Sequence, residues 1–279
     1  MTAAGANPTN PLVVTVNVEV ESHDALAAGG AGLFGRYSYG RYGAREGVWR
    51  LIETFRVEGV EATFFVDADD AERHPHIVEA ILAGGHEVAH LGPHDIEAVT
   101  DEVVLRQRLT ETREKLAKVA GQPILGWRSA AGVMSVPTLP ILAELGYLYD
   151  SSFQDDDHPY LFGDTGGAAL VELPTFKYLT DGTFYHVRRT DETVRKTWTE
   201  EFAAMHAEGS YIALTISSRG DFGSGRALRT RIVGDWINRA TRTPGIEVIR
   251  CDKLAERCKA TGFAPEPFPW LQEFEQDNG

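Results

Sequence analysis

Short apolar segments alternate with longer amphipathic segments along most of the chain. The apolar segments are rich in β-branched and aromatic residues and predict buried strands. The longer segments carry apolar residues at helical spacing, and several of them end at a glycine, which favours helix termination. The predicted strands are 12–20, 62–66, 87–89, 124–128, 147–149, 171–173, 211–216 and 247–250. The predicted helices are 45–57, 76–83, 101–120, 136–145, 191–207, 227–240 and 252–260.

This alternation is typical of parallel βαβ units. About seven such units predict a closed or nearly closed α/β barrel, with a doubly wound open sheet as the alternative. We expect a flexible lead-in over residues 1–11, a single barrel domain over 12–264 and a C-terminal extension over 265–279.

Charge and composition exclude several classes of function. The chain has 279 residues and a formal net charge of −14, so nucleic acids and anionic membrane surfaces would repel it. It has neither a glycine-rich dinucleotide motif nor a phosphate-binding P-loop. The first residues lack the basic and apolar regions of a signal peptide, and no segment is long enough to span a bilayer. We therefore expect a cytoplasmic protein that acts on a small molecule.

A glycine-rich segment over residues 29–43 follows the first predicted strand. Its aromatic side chains include Tyr37 and Tyr39. Long loops inside compact domains are usually functional or disordered. We interpret this segment as part of the wall of a substrate pocket, with both tyrosines in contact with the substrate.

Polar residues alternate at the end of the first strand. Asn17, Glu19 and Glu21 share one face of it, and inward polar groups are costly unless they have partners. In a parallel barrel this strand is buried on both faces, which favours a functional site; a solvent-facing edge is the alternative.

Two histidines follow the third strand. His90 and His94 lie four residues apart, a spacing that can bring two imidazoles to one ion. With Glu19 they would form a two-histidine, one-carboxylate site with open positions for water and substrate.

The ends of later strands supply further candidates. Trp127 and Arg128 end the fourth strand, and an arginine there can hold a carboxylate or an anionic substrate. Asp156 and His158 lie in an acidic segment after the fifth strand, and Ser217 follows a late strand. We expect Trp127 and His158 to contact the substrate.

In this order, the segments resemble the polysaccharide-deacetylase (NodB-homology) superfamily, and within it the cytoplasmic branch of a cofactor-independent allantoinase and peptidoglycan-deacetylase-like proteins. The resemblance rests on GAREGVWRL at 43–51, ATFFV at 62–66, GHEVA at 85–89, YDSS at 149–152, DDHPY at 156–160, ELP at 172–174 and GR at 225–226. It implies a distorted, incomplete barrel, homo-oligomers (a dimer or tetramer), and metal-assisted hydrolysis of an amide C–N bond.

The resemblance also implies that several catalytic positions have changed. The family's base aspartate is replaced by Asn17, its metal-binding aspartate by Glu19, and its acid histidine by Ser217. His90 and His94 keep the ligand spacing only with a one-residue gap; without it, Leu91 and Asp95 occupy the ligand positions. Asn17 cannot accept a proton and serine is a poor general acid. The candidates to replace them are Glu21, His23, Asp24, Asp95, Asp156 and Asp221.

Two hypotheses follow for the function. The first is an enzyme with a remodelled site that acts on a small polar carbonyl or amide substrate, by hydrolysis or by cyclisation, isomerisation or elimination. Its catalytic residues would be Asn17, Arg128, Ser217, Glu21 and Asp156, with a divalent ion such as zinc or cobalt, or with none. The second is a non-catalytic binding or regulatory protein that kept the barrel.

Overall fold

The computed structural model describes residues 9–27, 35–162 and 169–261. Its strands are β1 (Asn10–Val18), β2 (Thr63–Val66), β3 (Glu87–Leu91), β4 (Gly126–Arg128), β5 (Tyr149–Asp150), β6 (Tyr160–Phe162), β7 (Leu170–Glu172), β8 (Ile212–Ser217) and β9 (Ile246–Val248). Its α-helices are α1 (Glu21–Ala27), α2 (Tyr39–Tyr42), α3 (Val48–Glu58), α4 (Ala68–Arg73), α5 (Pro75–Ala83), α6 (Glu102–Ala120), α7 (Thr138–Glu144), α8 (Asp181–Tyr185), α9 (Asp191–Glu208), α10 (Ala227–Thr241) and α11 (Cys251–Thr261).

The strands form one curled sheet in the order β6-β7-β5-β4-β3-β2-β1-β8, and β9 pairs with the first residues of β1. All pairs are parallel except β6 with β7. No ladder joins β6 to β8 within the described ranges, although Thr180 forms an isolated bridge to Thr215 of β8. The predicted distorted, incomplete parallel barrel is therefore confirmed, and the doubly wound open sheet was the wrong alternative.

Both faces of β1 are buried, which explains its nearly continuous apolar sequence. Val14 and Val16 pack in the layer between the sheet and the helices, together with Leu51 of α3. Val13 packs on the other face of the sheet with Phe65. Because side chains alternate along a strand, the odd-numbered residues of β1 point into the barrel.

The glycine-rich segment is helical from Gly35 onward, so the prediction of a long loop is wrong there. A 3₁₀ helix (Gly35–Ser38) leads into α2, and a π-helix (Gly43–Gly47) leads into α3. A Cβ at Gly47 would lie 1.9 Å from the carbonyl oxygen of Ser218, and one at Gly40 would lie 2.2 Å from that of Val20. These glycines allow the helical segment to pack directly on the backbone that follows β1 and β8.

The ends of the chain are described only in part. Asn10 and Pro11 already belong to β1, so the strand begins within the predicted lead-in. Residues 1–8 and the predicted extension over 265–279 lie outside the described residues. Within residues 9–27, 35–162 and 169–261, every helix is too short or too polar to cross a membrane.

Candidate active site

A cavity of about 370 Å³ opens where β1 and β8 end. Asn17 and Ser217 pair in register across these two strands, and both line it. Carboxyl ends of parallel strands are where α/β folds of this kind bind ligands. The complete lining is Asn17, Glu19, Lys177, Thr180, Asp181, Gly182, Thr183, His186, Thr215, Ile216, Ser217 and Phe222.

Three potential metal ligands meet beside this cavity. Donor atoms of Glu19, His23 and His94 all lie within 4.8 Å of one another. Nδ1 of His23 lies 3.7 Å from Oε1 of Glu19, and the rings of His23 and His94 meet edge to face with centroids 4.7 Å apart. One carboxylate and two imidazoles are a donor set that zinc and related divalent ions accept.

Burial shifts the pKa values of two of these ligands in opposite directions. Burial raises the pKa of Glu19 to about 7, although a hydrogen bond with the Ser217 side chain and the charge of Arg219 oppose the shift. Burial, and then the charge of His94, lower the pKa of His23 to about 4. His23 is therefore a neutral imidazole at pH 7, the form that binds metals.

Asp70 of α4 fixes the backbone that carries His23. Its buried carboxylate accepts hydrogen bonds from the amide of Ser22 at 2.9 Å, the hydroxyl of Ser22 at 2.8 Å and the amide of Val20 at 3.3 Å. These donors lie between Glu19 and His23 in the chain, so Asp70 sets the turn that brings both ligands to one side.

Arg219 ties the loop after β8 to α1. Its guanidinium donates to Asp24 at 2.7 Å and to Asp221 at 2.9 Å, and Asp24 also accepts from the amide of Gly40 at 2.7 Å. Asp24 and Asp221, which were candidates to replace the catalytic residues, are therefore engaged in a buried ion-pair network.

Asn17 contacts Arg128 inside the barrel. Nη1 of Arg128 donates to Oδ1 of Asn17 and to Oγ1 of Thr15, both at 3.0 Å. Nε and Nη2 of Arg128 donate to the carbonyl oxygen and hydroxyl of Ser151 at 2.9 and 2.8 Å. The guanidinium also lies 3.9 Å from the centre of the Phe65 ring. These contacts hold the Arg128 guanidinium directly behind Asn17, which lines the cavity.

Asp181 is a second buried carboxyl group that lines the cavity, in addition to Glu19. It accepts hydrogen bonds from the amide of Ser217 at 3.0 Å and the hydroxyl of Ser224 at 2.7 Å. Burial raises its pKa to about 7 despite these donors. A carboxyl group with a pKa near neutrality that faces a cavity is suited to proton transfer.

His90 does not join the metal-ligand cluster, contrary to the expectation from its spacing. Within β3, Ala89 and Leu91 face the barrel interior, so His90 points to the helix layer. It is fully buried there, and its Nδ1 lies 2.7 Å from the hydroxyl of Tyr147. The ungapped alternative also fails, because Leu91 is in the core and Asp95 accepts a hydrogen bond from Arg108 at 2.6 Å.

Three other predicted residues lie away from the cavity lining. Glu21 begins α1 and pairs with His74 at 3.2 Å. Asp156 and His158 are exposed in the turn before β6, where Asp156 accepts the amide of His158 at 2.8 Å.

Two of the three predicted aromatic contacts with the substrate, Trp127 and Tyr39, do not belong to the lining. Trp127 is completely buried, and a Cβ at Gly92 would lie 2.6 Å from its indole ring, so it serves as a core residue. Tyr39 is half-buried in α2 and does not line the cavity. The side chain of Tyr37 lies outside the described part of the structure.

Sequence reasoning missed two residues that the fold brings to the site. His23 was considered as a substitute base, but its position four residues after Glu19 was the only signal that it could reach the same ion. Asp181 begins α8 after a 3₁₀ helix (Lys177–Leu179), and its place in the wall depends on the bridge between Thr180 and Thr215.

Comparisons with known proteins agree with this architecture. A family model described as polysaccharide deacetylase matches residues 39–149. A structure assigned to the polysaccharide deacetylases, from Mycobacterium smegmatis, is 31% identical, with 95% of each chain covered and a TM-score of 0.85. The chain belongs to the polysaccharide deacetylase family.

Two further structures share the fold of this polysaccharide deacetylase family member. One, from Pseudomonas aeruginosa PAO1 and given the same family name, is 24% identical over 88% of this chain and 89% of its own, with a TM-score of 0.80. The other, PuuE allantoinase, is 24% identical over 93% of this chain and 96% of its own, with a TM-score of 0.79. No curated protein matches the chain significantly.

Proposed function

We propose that this family member is a metal-dependent enzyme that acts on the amide or carbonyl group of a small polar molecule. The observation that carries the proposal is the cluster of Glu19, His23 and His94 beside a cavity of about 370 Å³ that Asp181 also lines. A cavity of this size accommodates a small substrate. The allantoinase relative, which is named for a ureide substrate, supports the same class of amide substrate.

Glu19, His23 and His94 would hold the divalent ion. Three protein ligands leave further coordination positions open, as in catalytic zinc sites. When bound, such an ion supplies Lewis-acid polarisation of a carbonyl group. Asp70 and the Ser217 side chain act on this site by holding the ligands in place, since Asp70 fixes the turn before His23 and Ser217 hydrogen-bonds Glu19.

Asp181 would transfer the proton in place of the family's base and acid. Asn17 cannot accept a proton, and Ser217 occupies the position where the family has a histidine. Asp181 lines the cavity beside Ser217 and has a pKa of about 7, so it can accept a proton in one step and return it in another. Amide hydrolysis, cyclisation and isomerisation all need such a group.

The test is turnover of a panel of N-acetylated sugars, ureides and cyclic amides by protein purified without chelator. The Asp181→Asn variant should lose about 10²- to 10⁴-fold in kcat, as expected for removal of a proton-transfer group. Asp156→Asn is the matched control, because Asp156 is exposed and does not line the cavity. An equal loss of kcat in both variants, or no loss in either, would refute proton transfer by Asp181.

A non-catalytic binding protein is the second candidate. It is favoured by the neutral pair Asn17 and Ser217, which face each other across β1 and β8 where the family keeps proton-transfer groups. This reading predicts that no member of the panel is turned over, and that a ligand binds the Asp181→Asn variant as tightly as the unchanged protein.

A further inference from the structure

Arg128 is a buried cation whose contacts are all with neutral groups. Its guanidinium donates to oxygen atoms of Thr15, Asn17 and Ser151, and only 4% of the residue is exposed. Among the described residues, no carboxylate oxygen lies within the 4.0 Å that defines an ion pair with it. The charge of Asp150 acts on Arg128 through space, without forming an ion pair with it. Buried charges in proteins are normally paired directly, so a further anion close to Arg128 would stabilise it.

Arg128 determines which way the amide of Asn17 points. An arginine can only donate hydrogen bonds, so the atom of Asn17 that faces it at 3.0 Å must be the carbonyl oxygen Oδ1. The Nδ2 group then points away from Arg128, and Asn17 lines the cavity. In the described part of the chain, Nδ2 has no hydrogen-bond acceptor.

The consequence is a reversal of polarity at this position. An aspartate here would present an acceptor to the cavity, whereas Asn17 presents two N–H groups. The hydrogen bond from Arg128 to Oδ1 polarises the amide and makes Nδ2 a stronger donor. The cavity also has an exposed lysine, Lys177, in its lining, with no ion pair to any described carboxylate.

We propose that the substrate carries a carboxylate, which binds Nδ2 of Asn17 with the charge of Arg128 behind it and Lys177 at the rim. This deepens the proposed function, because it takes the cavity as the substrate site and names the chemical class that it selects. The selection is local. A chain with a net charge of −14 would repel anions, and Glu19 and Asp181 add acidic groups to the lining, so the attraction comes from Lys177 at the rim and from Arg128 behind Asn17. Asn17 and Arg128 therefore determine specificity and need not move a proton.

The test uses acetate as the carboxylate and acetamide as its neutral counterpart, at constant ionic strength. The side-chain amide signals of Asn17 are followed by NMR in protein labelled with ¹⁵N-asparagine, and affinities are measured by calorimetry. Acetate should shift the Asn17 signal saturably and bind about tenfold or more tightly than acetamide, because only the anion is attracted by the cations. Equal effects of the two molecules would overturn the proposal.

Asn17→Asp is the decisive variant, since it puts a carboxylate where the donor was. It should weaken acetate binding about tenfold or more, and Lys177→Gln should weaken it by about two- to fivefold. Gln107→Glu adds the same charge on the exposed face of α6 and should leave the affinity unchanged. Unchanged affinity in Asn17→Asp, with its far-ultraviolet circular dichroism and unfolding cooperativity intact, would refute the inference.

Repeating the titration after treatment with EDTA separates this inference from the proposed function. Acetate binding that survives chelation and depends on Asn17 supports the carboxylate site whether or not a metal is present. Acetate binding that disappears with the metal and does not depend on Asn17 would refute the carboxylate site but would remain consistent with the proposed metal-dependent enzyme. If the protein holds no divalent ion but still binds acetate at Asn17, the carboxylate site is supported and the proposed metal-dependent function is refuted.

Discussion

The imidazole rings of His23 and His94 meet edge to face with their centroids 4.7 Å apart, although they follow different strands. His23 lies in α1, which follows β1, and His94 lies in the segment after β3. With Glu19 between β1 and α1, they converge because β2 alone separates the two strands in the sheet. The metal site that we propose therefore depends on the contacts that fix α1 and the segment after β3.

We expect Asp70→Ala to weaken metal binding about 10- to 100-fold, as removal of a group that orients ligands does. The variant removes the acceptor for the amides of Val20 and Ser22, so the junction of β1 and α1, which carries His23, loosens. The measurement is competition with a fluorescent zinc chelator. Asp69→Ala is the control, because Asp69 is exposed and pairs with Lys115; equal weakening in both variants would contradict the role of Asp70.

Gly47→Ala should destabilise the protein by about 3 kcal/mol, since overpacking against fixed backbone is costly. The added methyl group would lie 1.9 Å from the carbonyl oxygen of Ser218, and neither backbone segment can move without shifting the end of β8. Gly209→Ala offers a control at a helix end with φ of 78° and open space, where about 1 kcal/mol is expected. Urea unfolding measures both; similar losses would argue against close packing at Gly47.

Asn17→Asp should raise the free energy of unfolding by about 1 kcal/mol or more at pH 7, because Arg128 gains a charged hydrogen-bond partner. The two groups already lie 3.0 Å apart, so no rearrangement is needed. Urea unfolding tests this, with Gln122→Glu as the control at an exposed position. A lower stability for Asn17→Asp would show that Arg128 needs no counterion.

The fold could be read from the sequence because each predicted strand is an apolar segment between turn residues. The exceptions have physical causes. β6 runs antiparallel next to β7, and its three residues are too few to show a period. The helices from Gly35 to Gly47 contain glycines that normally oppose helix formation, and these are required by the close approach of Gly40 and Gly47 to other backbone.

The site was only partly predictable for a similar reason. The sequence predicted that Asn17, Glu19, Ser217 and His94 lie together, because residues at strand ends share an edge of the sheet, and the structure brings them to one region. It placed His90 wrongly. A spacing of four brings two side chains together on a helix, but His90 lies within β3, where alternate residues face opposite sides of the sheet and His90 faces the helices. Asp181 could not be predicted, because its position depends on a bridge that closes one edge of the barrel.

A buried carboxyl pair at the other edge of the sheet predicts how stability depends on pH. Asp150 and Glu172 pair in register on β5 and β7, and Glu172 accepts the amide of Phe153 at 3.0 Å. Burial raises the pKa of Asp150 to about 6. Burial, and then the charge of Asp150, raise the pKa of Glu172 well above its usual range.

Because both pKa values are higher in the folded chain, the folded chain binds more protons than the unfolded one. The contribution of the pair to stability is complete below about pH 4 and falls as pH rises through 6 and above. Glu172→Gln stays neutral, so it should be more stable than the unchanged protein at pH 8 and similar to it at pH 4. The exposed Glu144→Gln should not change this pH dependence, and an equal gain at both pH values would contradict the account.

The most direct measurement is a crystal structure of the zinc-incubated protein with anomalous data collected at the zinc edge. We expect one strong anomalous peak beside the cavity, about 2.0–2.2 Å from a carboxylate oxygen of Glu19 and one ring nitrogen each of His23 and His94. We also expect the peak to be lost in His23→Ala and retained in His158→Ala. No peak at this cluster, or a zinc ion bound through His90, would contradict it.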